Sequence, residues 1–173
     1  SLASQSNFTT DVWYHGAPTG GTGFFTNGIL HQSNTNPSVD VTHTVSAAVH
    51  SRDWWPCKQS LTDKIDSVDM HITVPTGLKV ASNGLLQNIV PVAAGNRYEW
   101  KMRYPVDYFL ISFAIAPYAE YNYYMHFTGT GDSMLIQNFI YDDPSVLQNN
   151  KPQLDSIGLM IDYFSTIFGK YPF

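Results

Sequence analysis

The sequence predicts a mainly β domain followed by a single C-terminal helix. Three observations predict it. Charged residues fill only 13% of the 173 positions while aromatic residues reach 14%, and aromatic and β-branched side chains suit a pleated, half-buried surface. Alternation at period two recurs in several stretches before Tyr141. After Asp142-Asp143-Pro144 the apolar spacing becomes helical.

In chain order, Thr10–His15 reads as a short strand closed by Gly16. Positions 17–28 are rich in Gly and Thr and read as a loop, as do 34–38; Val39–Val49 reads as extended. The clearest strand has Val68, Met70, Ile72 and Val74 on one face and Asp69, His71 and Thr73 on the other. Pro75-Thr76-Gly77 stops it, Leu78–Ala81 continues, and Ser82-Asn83-Gly84 is a turn signal. Arg97–Tyr104 predicts a strand. Phe109–Ile115 is apolar on both faces and predicts a central one. Tyr121–Thr128, a turn at 129–131 and Ser133–Tyr141 complete the β region. Leu154, Ile157, Ile161, Phe164 and Phe168 then share one helical face, with Gly169 placed to stop the helix and Pro172 to prevent its resumption. The expected division is a β domain over 1–143 and the start of a second domain over 144–173.

Composition narrows the function. With 43% hydrophobic residues the chain can build a core. A net charge of −5 without any run of Lys or Arg argues against nucleic acid and anionic membrane partners. One cysteine excludes an internal disulfide framework and a Cys-cluster zinc site. No apolar stretch is long enough to span a bilayer, and no signal-peptide pattern opens the chain. The first residue is Ser, so the chain reads as processed or cut.

Catalytic constellations are not visible. The six histidines include no His-Glu-x-x-His and no helical i, i+4 pair. The phosphate-loop and Gly-x-Ser-x-Gly patterns are also missing. Cys57, beside Lys58, is the one nucleophile candidate. The plainer reading is a buried thiol, because Pro56 fixes the backbone before it and Trp54 and Trp55 demand burial. The four Trp and eleven Tyr would also suit a sugar-stacking surface, although core packing explains most of them.

The stretch from Arg52 carries a resemblance. Arg52-Asp53-Trp54-Trp55-Pro56-Cys57-Lys58-Gln59, Asp63-Lys64, the strand ending in Val74-Pro75 and the turn Ser82-Asn83-Gly84 resemble blocks of the aminopeptidase N-type zinc metallopeptidase family, in its bacterial branch. Trp13-Tyr14-His15-Gly16, Tyr104-Pro105 with Leu110–Ala114, and the closing Tyr163-Phe164 through Phe168-Gly169-Lys170-Tyr171-Pro172-Phe173 are similar to further family elements in the same order. His50 and Ser51 stand where the branch often has Gly-Ala, and Gln59 where an acid is usual.

The resemblance implies an antiparallel, saddle-shaped β-sandwich lacking its first strands, then the first helix of a thermolysin-like catalytic domain. It implies a non-catalytic region that caps the cleft of a peptidase and helps bind the substrate's N-terminus. No cofactor is expected in this segment, and zinc is expected in the catalytic domain of the whole protein. Expected partners are that domain, peptide substrate through it, and further copies of the chain at uncovered edges. A periplasmic or extracellular location fits the low charge. In the family an acid or Gln ten positions before the Pro-Cys cysteine meets the substrate amine. Here that position is Ala47, flanked by Ser46 and Ala48, and a methyl group cannot pair with an ammonium. Arg52, Trp54, Trp55, Pro56 and Cys57 are expected to be structural. A stand-alone binding module, for instance a carbohydrate-binding sandwich, is the alternative.

Overall fold

The computed structural model describes residues 7–16, 28–35, 38–46 and 49–173. Nine antiparallel strands and one α-helix are seen among them: β1 (Gly28–Thr35), β2 (Ser38–Val45), β3 (Val68–Val74), β4 (Lys79–Ser82), β5 (Leu85–Val92), β6 (Gly95–Met102), β7 (Phe113–Ala116), β8 (Tyr118–His126), β9 (Ser133–Tyr141) and α1 (Pro144–Phe168). They form a four-stranded sheet in the order β1-β2-β7-β4, a three-stranded sheet β3-β6-β5 and the hairpin β8-β9.

The two larger sheets pack face to face as a sandwich. Val74, Val80, Tyr98 and Trp100 are buried between them, joined by Met70, Ile72, Leu86, Phe113 and Ile115. This is the burial that the alternation of β3 anticipates. Its odd neighbours Asp69, His71 and Thr73 are exposed. On the other face of the four-stranded sheet, Val39, Val41, Ala116 and Tyr118 form a second cluster with Ala114 and Tyr141. Phe139 of β9 packs into both clusters and so ties the hairpin to the sandwich.

The chain passes between sheets at two short turns. β3 and β4 are joined through Pro75–Gly77 yet lie in different sheets, and β5 returns to the first sheet through Ser82–Gly84. Asn83 holds the second crossing. Its amide donates to the Leu110 carbonyl at 2.9 Å and its oxygen accepts from the Ser112 N–H at 2.7 Å. Gly84 has φ +84°, and a Cβ there would lie 2.1 Å from the Lys101 carbonyl oxygen, so both conformation and space require glycine.

Several expectations change. Thr10–His15 is not a strand, because no described strand offers it a ladder. Val12, Trp13 and Tyr14 are all exposed, and Val12 and Tyr14 line clefts beside Trp54 and Trp55. β1 and β5 stand where no strand was expected. The central strand β7 spans only Phe113–Ala116, because Tyr108–Leu110 takes a 3-10 turn before it. It is nonetheless central, between β2 and β4. Positions 17–27 of the expected first loop lie outside the described residues.

α1 begins where Pro144 occupies the first helical turn and Asp143 caps it, accepting the Ser145 N–H at 2.8 Å. Gly169 ends it at φ +94°. Its expected apolar face divides. Ile157 and Ile161 pack on Met125, Phe127 and Ile136 of the hairpin, whereas Phe164 and Phe168 are exposed.

Candidate functional site

Ser46 and the segment from Val49 to Cys57 form a corner built on one 3-10 turn, Ser51–Asp53. The His50 N–H donates to the Ser46 carbonyl at 3.0 Å, and the Trp54 and Trp55 N–H groups both donate to the Ser51 carbonyl. Ser51 is fully buried, and its hydroxyl donates to the Tyr108 carbonyl at 3.3 Å. A larger side chain at Ser51 would have no room, which gives a physical reason for a small residue there.

Trp54 ties the corner to the sandwich. Its ring meets Phe113 edge-on at 5.6 Å, and its indole N–H donates to the Ser46 hydroxyl at 2.9 Å. Ser46 is therefore buried and committed to the corner through both its carbonyl and its hydroxyl. Ala47 and Ala48 lie outside the described residues.

Trp55 is half-buried against Trp54, with ring centroids 6.0 Å apart, and its indole N–H is buried without a described acceptor. Clefts of about 260 and 420 Å³ flank the two rings, the larger bounded by Ile65, Met70 and Ile111. Arg52 and Pro56 are exposed. Cys57 is half-buried, and burial pushes its thiol up from the ordinary value, with the Arg52 charge acting in the opposite direction. A thiol held protonated in this way is a poor nucleophile.

Two carboxylates here are met by neighbouring basic side chains. His50 Nδ1 lies 2.8 Å from an Asp53 carboxylate oxygen, and Lys58 pairs with Asp63. Sequence reading missed the first pair, although the i, i+3 spacing on a one-turn helix carries its signal. Gln59, standing in place of an acid, buries its amide nitrogen without a described partner. Among the described residues no three His, Cys, Asp or Glu side chains converge as metal ligands.

A separate cleft of about 570 Å³ opens on the four-stranded sheet. Gln32, His43, Ala81, Ala114 and Tyr118 line it together with Tyr141, and its lining includes no Asp, Glu, Lys or Arg. The described structure is that of a β-sandwich with a following helix.

No family model matches the chain, and no curated protein matches it by sequence. Solved structures do match its fold, among them several M1 zinc metallopeptidases. A two-domain M1 zinc metallopeptidase mutant bound to L-arginine superposes with a TM-score of 0.70 at 15% identity, over 91% of this chain and 34% of that one. The M1 zinc metallopeptidase of Deinococcus radiodurans, as a mutant bound to a Tyr-Ser-Ala substrate, gives 0.64 at 14% identity, over 86% of this chain and 32% of that one. The unmodified Deinococcus radiodurans enzyme gives 0.63 over 76% and 29%. The chain thus has the fold of an aminopeptidase N-type N-terminal β-domain with one helix after it. It spans about a third of the length of the structures it matches.

Proposed function

We propose that this chain is the non-catalytic N-terminal region of a zinc-dependent, aminopeptidase-like protein. In the whole protein it caps the active-site cleft and stands near the substrate's N-terminus. The observation that carries the reading is the fold likeness over 91% of the chain, taken with the ordered motif blocks from Trp13 to Phe173. The matched proteins were solved with L-arginine and with a Tyr-Ser-Ala substrate. Peptide is therefore the substrate class proposed here.

A second feature supports the division at Asp143. Leu159, Met160, Tyr163, Phe164, Ile167 and Phe168 leave a contiguous apolar stretch of α1 in solvent. Contiguous exposed apolar surface of this kind marks a face that another element covers. A catalytic domain beginning with α1 would cover it.

The loop 46–48 gives the reading a consequence. Ser46 is occupied by Trp54, and Ala47 holds the position where the resemblance implies a carboxylate or amide. We infer that the whole protein does not grip the substrate ammonium through Ala47, so other groups of its cleft meet the substrate's N-terminus.

The test joins this chain to its natural downstream coding sequence and compares the two products. Stoichiometric zinc and release of N-terminal residues from peptides are expected of the longer protein, with neither in this chain alone. One tightly bound zinc per copy of this chain, or a longer product without zinc-ligating residues, overturns the reading.

A further inference from the structure

The seam between α1 and β8 contains a contact that apolar packing does not require. The Tyr123 hydroxyl donates to the Leu154 carbonyl at 2.7 Å and accepts from the Gly158 N–H at 3.2 Å. Those two backbone groups are separated by four residues, and are the pair that an α-helix joins to each other. A side chain of the hairpin therefore sits on one rung of the helix's own ladder.

Gly158 makes the approach feasible. It is the one buried residue of α1, and a Cβ there would lie 2.9 Å from the Met125 Cβ and 3.4 Å from the Tyr123 ring. Six residues earlier Pro152 interrupts the helix interior, where it cannot donate to the Gln148 carbonyl. The ladder is thus weakened just before the point where the hairpin grips it.

Further polar contacts line the same seam. Lys151 donates to the Tyr121 hydroxyl at 2.7 Å and to Asp155 at 2.6 Å, and Tyr121 also bonds Asp155. Asp162 accepts both the Thr128 N–H at 2.8 Å and its hydroxyl at 2.7 Å. Lys170 pairs with Asp132. The apolar part is small: Ile157 and Ile161 against the Met125, Phe127 and Ile136 cluster.

Apolar contact is non-directional and tolerates rotation and sliding. A hydroxyl that must meet one carbonyl and one N–H at a glycine is satisfied at a single register. Sliding α1 by one turn would bring Leu154 or Asp162 to the place of Gly158, and either side chain would strike the hairpin.

We propose that Tyr123 is a positioning residue that fixes the register of α1. It makes the hairpin and the helix one mechanical body. The exposed face at Met160, Tyr163, Phe164 and Ile167 then points in a set direction from the sandwich. Any movement of what α1 carries must take the hairpin with it or begin beyond Phe168. The seam would act in this way whether or not the whole protein is a peptidase.

Tyr123→Phe keeps the ring and removes the hydroxyl. Amide exchange and residual dipolar couplings are measured on the chain by NMR. In the unaltered chain the couplings of α1 and of β8–β9 should fit one alignment. In Tyr123→Phe the Gly158 amide should exchange about fivefold faster, and α1 should need an alignment of its own while β3–β6 is unchanged. Gly158→Ala keeps the hydroxyl but blocks the approach, and should separate the alignments in the same way. A Tyr123→Phe chain with unchanged Gly158 exchange and one shared alignment overturns the proposal. So does a uniform rise in exchange across β3, β6 and α1, which would mean that the hydroxyl adds only general stability.

Discussion

The sandwich and the helical end of this chain are held together by different means. Between the two larger sheets, Val74, Val80, Tyr98 and Trp100 are buried and the contacts are almost wholly apolar. Along α1 the helix is held by Tyr121, Tyr123 and Thr128 on one side while six large apolar residues face solvent on the other. The difference teaches where the folding free energy lies. The sandwich supplies its own core, whereas α1 is positioned by directional polar contacts and leaves most of its apolar surface unused.

The largest break should come from the sandwich. Trp100 is 2% exposed and packs against Phe139 at 6.0 Å. Trp100→Ala should cost about 3–5 kcal/mol, read as a shift in the denaturant midpoint at unchanged slope. Because the Trp100 indole N–H is buried without a described partner, Trp100→Phe should cost clearly less. Equal losses would place the cost elsewhere than in packing.

The corner should respond at an intermediate level. Trp54→Phe keeps an aromatic ring near Phe113 but removes the donor to Ser46. A loss of about 1 kcal/mol is expected, with faster amide exchange at His50, whose N–H is held by the Ser46 carbonyl. Unchanged exchange at His50 would show that Ser46 is anchored without the indole.

Acid should separate the two regions. Asp162 is held below the ordinary carboxylate value, first by the Thr128 hydroxyl and then by the Thr128 N–H. Asp155 is lowered by Lys151 and then by Tyr121. Groups whose folded values are depressed add stability that is present above the ordinary carboxylate range. That stability is lost as pH falls through the folded values. Amides of α1 should therefore lose protection below about pH 4 before those of β3 and β6. Asp162→Asn should remove part of that pH dependence. Simultaneous loss in both regions would join them into one cooperative unit.

The smallest effect on stability should come from the exposed face. Met160→Ser and Phe164→Ser should change the unfolding free energy by about 0.5 kcal/mol or less. They should also weaken any concentration-dependent association seen by sedimentation. A loss comparable with Trp100→Ala would mean that this face is already covered within the chain.

Legibility in the sequence followed the kind of burial. β3 and β9 were readable because each puts one face inward and alternates accordingly. β1 was not, because His31, Gln32 and Ser33 are all exposed on an edge strand and give no period. β5 hid behind Pro91, which an edge strand tolerates since its free side needs no N–H. In the corner, the sequence pointed to Trp54 and Trp55 but not to the Ser46–Trp54 bond. That bond spans eight residues around a turn and belongs to no local pattern.

By itself the sequence determined a β-rich chain with one closing helix, the start of that helix at Asp143-Pro144 and its end at Gly169. These depend on local alternation, caps and backbone freedom, which act within a few residues. Only the tertiary structure decided that β3 and β4 fall in different sheets, that β7 lies between β2 and β4, and which part of the helix's apolar face is buried. Ile157 and Ile161 are covered and Phe164 is not because Tyr123 meets Gly158 at one register. Sequence spacing defines an apolar stripe on a helix, and the partner surface selects the portion of it that leaves water.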